Sequence, residues 1–183
     1  MRKRIAIDMD ETIVDTMSRH LQWYNQEFGQ NLTKADLQGT KIYHRVPAEH
    51  AARVRAYPDH PDFFVDIPAY ADACEVILAL SQDYDIVIAT AAMEHPASFS
   101  AKYHWLVKHL PFLSPLNFIF CGNKSVVHAD YLVDDSSRHF QGFIGQGVLF
   151  TAPHNLGEAA DIRVNDWREV SEYFLQLKRA AAV

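Results

Sequence analysis

Cysteines are few in this chain, basic residues are in deficit, and no long apolar run occurs. The two cysteines, Cys74 and Cys121, lie far apart and match no metal-binding or redox spacing. Free buried thiols in a reducing compartment are therefore expected. Lys and Arg number 17 against 23 Asp and Glu, a formal net charge of −6. That balance argues against a nucleic-acid polymer as partner, since such binding neutralises phosphates. The basic start Met1-Arg2-Lys3-Arg4 is followed by only three apolar residues before an aspartate, too few for a secretory leader. No stretch approaches membrane-spanning length. A cytoplasmic protein without membrane attachment is the expectation. Internal repeats are lacking, and low complexity is confined to a short alanine tail. What is there is globular material: 49% hydrophobic and 22% charged residues in 183, enough for one core with a small insertion.

Strand and helix signals alternate, which predicts an α/β fold around a parallel sheet. The apolar, β-branched run Ile5-Ala6-Ile7 reads as a central strand. Met17 to Phe28 reads as a helix with Leu21, Tyr24 and Phe28 on one face, stopped by Gly29. Residues 31 to 66 differ in character: Pro47, Pro58 and Pro61, three histidines, many charges and one modest helical piece, Ala48 to Val54. A small inserted module is expected there. Pro68 is expected to open a helix through Cys74, Ile77 and Leu80. The strand Asp85 to Thr90, a helix from Ser98 to Leu110 and strands at Phe118–Cys121, Tyr131–Val133 and Gly147–Thr151 follow. Asp166 with Glu169 three residues on predicts a capping box for a last helix carrying Val170, Phe174 and Leu177.

Asp8 and Asp10 end the first strand, Thr90 ends another, Lys124 follows a third and Asp134-Asp135 follow a fourth. Each has an ordinary use in a turn or cap. In a parallel sheet, however, all these strand ends share one edge, where ligands bind. Clustered carboxylates at 4 Å repel by about 1 kcal/mol in water and about 4 at an effective dielectric of 20. A divalent cation removes that cost, and all-oxygen donors suit Mg²⁺. Thr90 with the Ala91 and Ala92 amides would hold phosphoryl oxygens, and Lys124 would add a positive charge. The ten histidines read as scattered surface residues: His104 and His109 are five apart and share no helix face, so zinc is not expected.

The Asp-x-Asp-x-Thr motif, the strand ending in Thr90, Lys124 and the Asp134-Asp135 pair stand in the order of the haloacid dehalogenase-like phosphatases, which the chain resembles throughout. Ile5 to Asp10, Asp62-Phe63-Phe64, Tyr103 to Val107 and Lys124 to Asp135 resemble its 5′(3′)-deoxyribonucleotidase branch. The resemblance implies a Rossmann-like three-layer core, residues 1–16 and 67–183, with a small helical cap, residues 17–66, inserted after the first strand. It implies Asp8 as nucleophile forming an aspartyl-phosphate, and Asp10 as acid/base that also lends its carbonyl to Mg²⁺. Thr90 and Lys124 would stabilise the phosphoryl group. Asp135 would bind the metal with Asp134 beside it. The implied partner is a small phosphomonoester, a nucleoside monophosphate, met by a monomer or homodimer.

The chain departs from that branch where bases are recognised. An aromatic after the first motif and a Phe-Trp pair in the cap are matched here by Thr16 and Thr40-Lys41, and basic residues by Gly122 and Glu94. Lys41 and Phe63 stay as candidate substrate contacts, with Trp23 and Tyr43 as other aromatics. The histidines His44, His50 and His60 are weaker ones. A small sugar phosphate is the alternative substrate. A bacterial receiver domain uses similar residues, but its acidic pair comes on the first strand, whereas here it comes last. A binding protein without turnover is the remaining non-enzymatic alternative.

Overall fold

Period-two alternation in the strands accounts for the architecture of the computed structural model, which describes residues 2–180. Met1 and the end of the alanine tail lie outside the described residues. Six strands, β1 (Arg4–Ile7), β2 (Asp85–Thr90), β3 (Phe118–Phe120), β4 (Tyr131–Asp134), β5 (Gln146–Phe150) and β6 (Arg163–Val164), form one sheet in the order β3-β2-β1-β4-β5-β6. Every pairing is parallel, with Ile5 opposite Ile86 on one side and Tyr131 on the other. Ile5, Ile7, Ile86, Ile88, Tyr131 and Val133 face one core cluster, while Ala6, Val87, Ala89 and Leu132 face another. The first cluster joins helices α4 (Ala73–Leu80), α5 (Phe99–His109) and α6 (Trp167–Ala180) through Ile77, Trp105, Leu106 and Phe174. The second is thin and is closed by Val127, Phe140 and Phe143 from turns.

The strand order puts the chain's reversal at β1: the path moves outward through β2 and β3, then returns to β4 on the other side of β1. A crevice opens at such a switch point, beyond the carboxyl ends of the strands. Between β1 and β2 the chain makes α1 (Thr16–Phe28), α2 (Ile42–Arg45) and α3 (Ala48–Arg55). Asp15 caps α1 by accepting the Ser18 amide at 2.9 Å, and Gly29 ends it at φ 60°. Residues 31–66 hold more helix than the single piece expected, since short turns at Lys34–Leu37 and Tyr57–Asp59 join α2 and α3.

Two expectations need correction, and one strand is additional. Pro68 does not open α4, because Asp72 adopts a left-handed φ of 65° and the helix begins only at Ala73. Asp166 Oδ1 does accept the Glu169 amide at 2.9 Å, but the Glu169 carboxylate reaches the Asn165 amide at 2.8 Å, so the box is displaced by one residue. The two-residue β6 was not anticipated; it is too short to show alternation. No helix among the described residues is long and apolar enough to cross a membrane.

Candidate active site

Asp8 sits on the last rung of the β1 ladder, its amide donating to the Val133 carbonyl at 2.9 Å. The chain then folds tightly. Met9 O accepts the Ile13 and Val14 amides at 2.9 and 3.0 Å, and Glu11 takes a φ of 53°. This turn separates the two aspartates. Asp8 accepts a short hydrogen bond from Lys124 Nζ, whereas Asp10 Oδ2 accepts one from Lys102 Nζ at 2.5 Å. Asp10 Oδ1 is left with no hydrogen-bond partner.

Lys124 also donates to Asp134 Oδ2 at 2.5 Å, so one ammonium is shared by two buried carboxylates. Asp134 is further engaged by the Ser136 amide and by His139 Nδ1, each at 2.9 Å. Burial alone would raise Asp134, but Lys124 and His139 outweigh it and hold the carboxyl below its usual range. Burial pushes Asp8 above its usual range, with the Lys124 ammonium opposing the shift. Asp135 has no such cation. Burial and the charges of Asp134, Asp8 and Glu11 lift it well above the ordinary carboxylate range, with His154 Nε2 3.3 Å away. One oxygen each of Asp8, Asp134 and Asp135 lies within 4.8 Å of the others. Three buried carboxylates against one ammonium, all oxygen donors, fit a hard divalent cation.

These groups open into a cavity of about 490 Å³ between the sheet edge and the inserted segment, lined by Asp8, Asp10, Asp135, Ala91, Lys41 and Phe63 among others. Thr90 is fully buried and its hydroxyl accepts from Lys102 at 3.0 Å. Lys124 and Ala92 are buried behind the cavity wall. Thr16, Tyr43, His44 and Glu94 line the cavity; Trp23, Thr40, Gly122, His50 and His60 do not. Trp23 instead packs edge-on against Tyr57 and Phe63, and His50 stacks on Phe28 at 3.8 Å.

The expectation of scattered surface histidines fails for four residues. His20, His95, His139 and His154 line the cavity, beside His44. Burial lowers both His20 and His154 to about 4, with Lys41 adding to the effect at His154. Sequence reasoning also missed Lys102, although the signal was present: it shares a buried helical stripe with Trp105 and Leu106, at i, i+3 and i+4. Glu11 and Asn155 were missed too. Burial pushes Glu11 up to about 7, with Thr16 opposing through its hydroxyl. Asn155 donates to Asp135 O at 2.7 Å and Phe150 O at 2.8 Å, fixing the loop after β4. Nothing in the local sequence marks an asparagine in a turn for that task.

The family model for 5′ nucleotidase, deoxy (pyrimidine), cytosolic type C protein matches residues 2–180. The chain belongs to this family. A Staphylococcus epidermidis protein provisionally named a 5′(3′)-deoxyribonucleotidase is 42% identical over 178 residues, covering 97% of this chain and 99% of its own. The 5′(3′)-deoxyribonucleotidase of Bacillus subtilis is 32% identical over 175 residues, covering 96% and 100%. Among solved structures, a haloacid dehalogenase-like hydrolase from Streptococcus pneumoniae matches with a TM-score of 0.60 at 14% identity, over 94% of this chain and 98% of its own. A haloacid dehalogenase-type protein from Bacillus subtilis, bound to magnesium, matches with the same TM-score, identity and coverage. The fold is thus haloacid dehalogenase-like, and the family is one of phosphomonoester hydrolases.

Proposed function

We propose that this chain is an Mg²⁺-dependent 5′(3′)-deoxyribonucleotidase that hydrolyses nucleoside monophosphates through an aspartyl-phosphate on Asp8. The observation that carries the reading is the meeting of Asp8, Asp134 and Asp135 beside Lys124 at the sheet's switch point. Lys124 holds the Asp8 carboxylate and orients it for in-line attack on phosphorus. The unpartnered Asp10 Oδ1 is free to protonate the leaving alkoxide and then to deprotonate the water that cleaves the acyl-phosphate. Thr90, Lys124 and the Ala91 and Ala92 amides would take phosphoryl oxygens. Asp8, Asp135 and the Asp10 carbonyl would hold Mg²⁺, with Asp134 beside them, and the ion supplies charge neutralisation at the phosphoryl group. Residues 1–16 and 67–183 act as the core, and 17–66 as the cap that selects the substrate. Lys41 and Phe63 are its proposed contacts.

A second reading, a small sugar phosphate, is favoured by Thr16 lining the cavity where the branch has an aromatic. A panel of deoxyribonucleoside 5′- and 3′-monophosphates, ribonucleotides and sugar phosphates, assayed for phosphate release with Mg²⁺ and with chelator, separates the two. Deoxyribonucleotides are expected to lead, with no turnover in chelator. Sugar phosphates leading, or chelator-resistant turnover, would overturn the first reading.

A further inference from the structure

Three cations at the cavity are taken by carboxylates. Lys102 is taken by Asp10, Arg138 by Glu94 at 2.7 Å, and Lys124, just behind the wall, by Asp8 and Asp134. Lys41, at the start of α2, and Arg55, at the end of α3, line the same cavity, and among the described residues neither has a carboxylate partner. The Arg55 guanidinium lies over the Tyr43 ring at 4.5 Å. That contact orients the planar fork through its face and leaves its N–H donors free. Two uncommitted cations lining one cavity, one of them oriented by an aromatic face, in a chain of net charge −6 form a receptor for an anion.

The scissile phosphate is already provided for at the strand ends. Tyr43, Phe63 and Phe64 line the wall as apolar and aromatic surface, which leaves Lys41 and Arg55 as the cations without a role there. We infer that the preferred substrate carries a second phosphate, on the sugar hydroxyl remote from the scissile ester, held by Lys41 and Arg55. The inference rests on the nucleotidase reading and goes beyond it, from monophosphates to deoxyribonucleoside 3′,5′-bisphosphates as the better substrates. The products are inorganic phosphate and a nucleoside monophosphate.

The test compares kcat/KM for thymidine 5′-monophosphate and thymidine 3′,5′-bisphosphate in the wild type, Lys41→Gln, Arg55→Gln and the double variant, at low and high salt. The quantity read is the ratio between substrates, whatever the absolute rates. A wild-type preference of about tenfold or more for the bisphosphate is expected, the equivalent of about 1.4 kcal/mol. It should shrink in high salt and fall to about one in the double variant. A wild-type ratio at or below one, or a ratio the double variant retains, overturns the inference while leaving nucleotidase activity standing. Turnover of neither nucleotide, with sugar phosphates hydrolysed, overturns both.

Discussion

Lys102 carries its charge almost wholly inside the protein, 2% exposed, over the Phe64 ring at 4.5 Å. Its ammonium bonds Asp10 and Thr90 together, so in the proposed reaction its part is to position Asp10. Lys102→Met is expected to lower kcat by about a hundredfold and to move the limb of the pH–rate profile that reports Asp10. A profile unchanged in shape would mean that the lysine only fills space. His20 offers a test on stability. Its ring donates to the Thr16 carbonyl at 3.0 Å, and burial holds its pKa near 4 rather than 6.5. The unfolded chain therefore takes up the proton first as pH falls. The histidine's contribution is intact above about 6.5 and is lost towards 4. The full difference corresponds to about 3 kcal/mol, and the ring's opening to the cavity brings the expectation to about 2. Urea unfolding at pH 7 and pH 4.5 should show the wild type losing that much more than His20→Asn; equal losses would contradict it. At this scale the positions of Asp8, Asp10, Thr90, Lys124 and the aspartate pair were legible, because each ends or closely follows a strand. His139, His154 and Asn155 were not, because their positions depend on turns that carry no periodicity.

Helix α1 links the first motif to the inserted segment, and its end depends on Gly29 at φ 60° with the amide bonded to Asn25 O. A Cβ there would meet nothing within 4 Å, so the cost of a side chain is backbone strain alone. Gly29→Ala should destabilise the protein by about 1 kcal/mol in urea, while Gly157→Ala, equally unobstructed and without positive φ, should be near neutral. Equal effects would contradict the argument. Elements with long periodic signals, α1, β2 and α6, were readable to within a residue or two. The start of α4 was not, because a left-handed aspartate at 72 overrides the proline cue.

Over the whole molecule, the parallel sheet was implied by alternation of elements, but the position of the switch point follows from pairings remote in sequence. Ties between the inserted segment and the core set the cavity's shape: Lys34 to Asp15 at 2.6 Å, the Gly39 amide to Pro153 O at 2.7 Å, and His95 to Asp59 at 3.1 Å. These contacts bring residues 34–59 against the strand ends. Chemistry was accordingly more legible than substrate choice. The central claim is that Asp8 accepts phosphorus covalently, and it is tested most directly in Asp10→Asn with p-nitrophenyl phosphate and Mg²⁺. This leaving group needs no proton, so the first step proceeds while the second is blocked. Acid quench and peptide mapping should then find a burst of about one equivalent of p-nitrophenolate and a phosphoryl adduct on Asp8. Steady turnover without a burst, or the adduct on another residue, would contradict it.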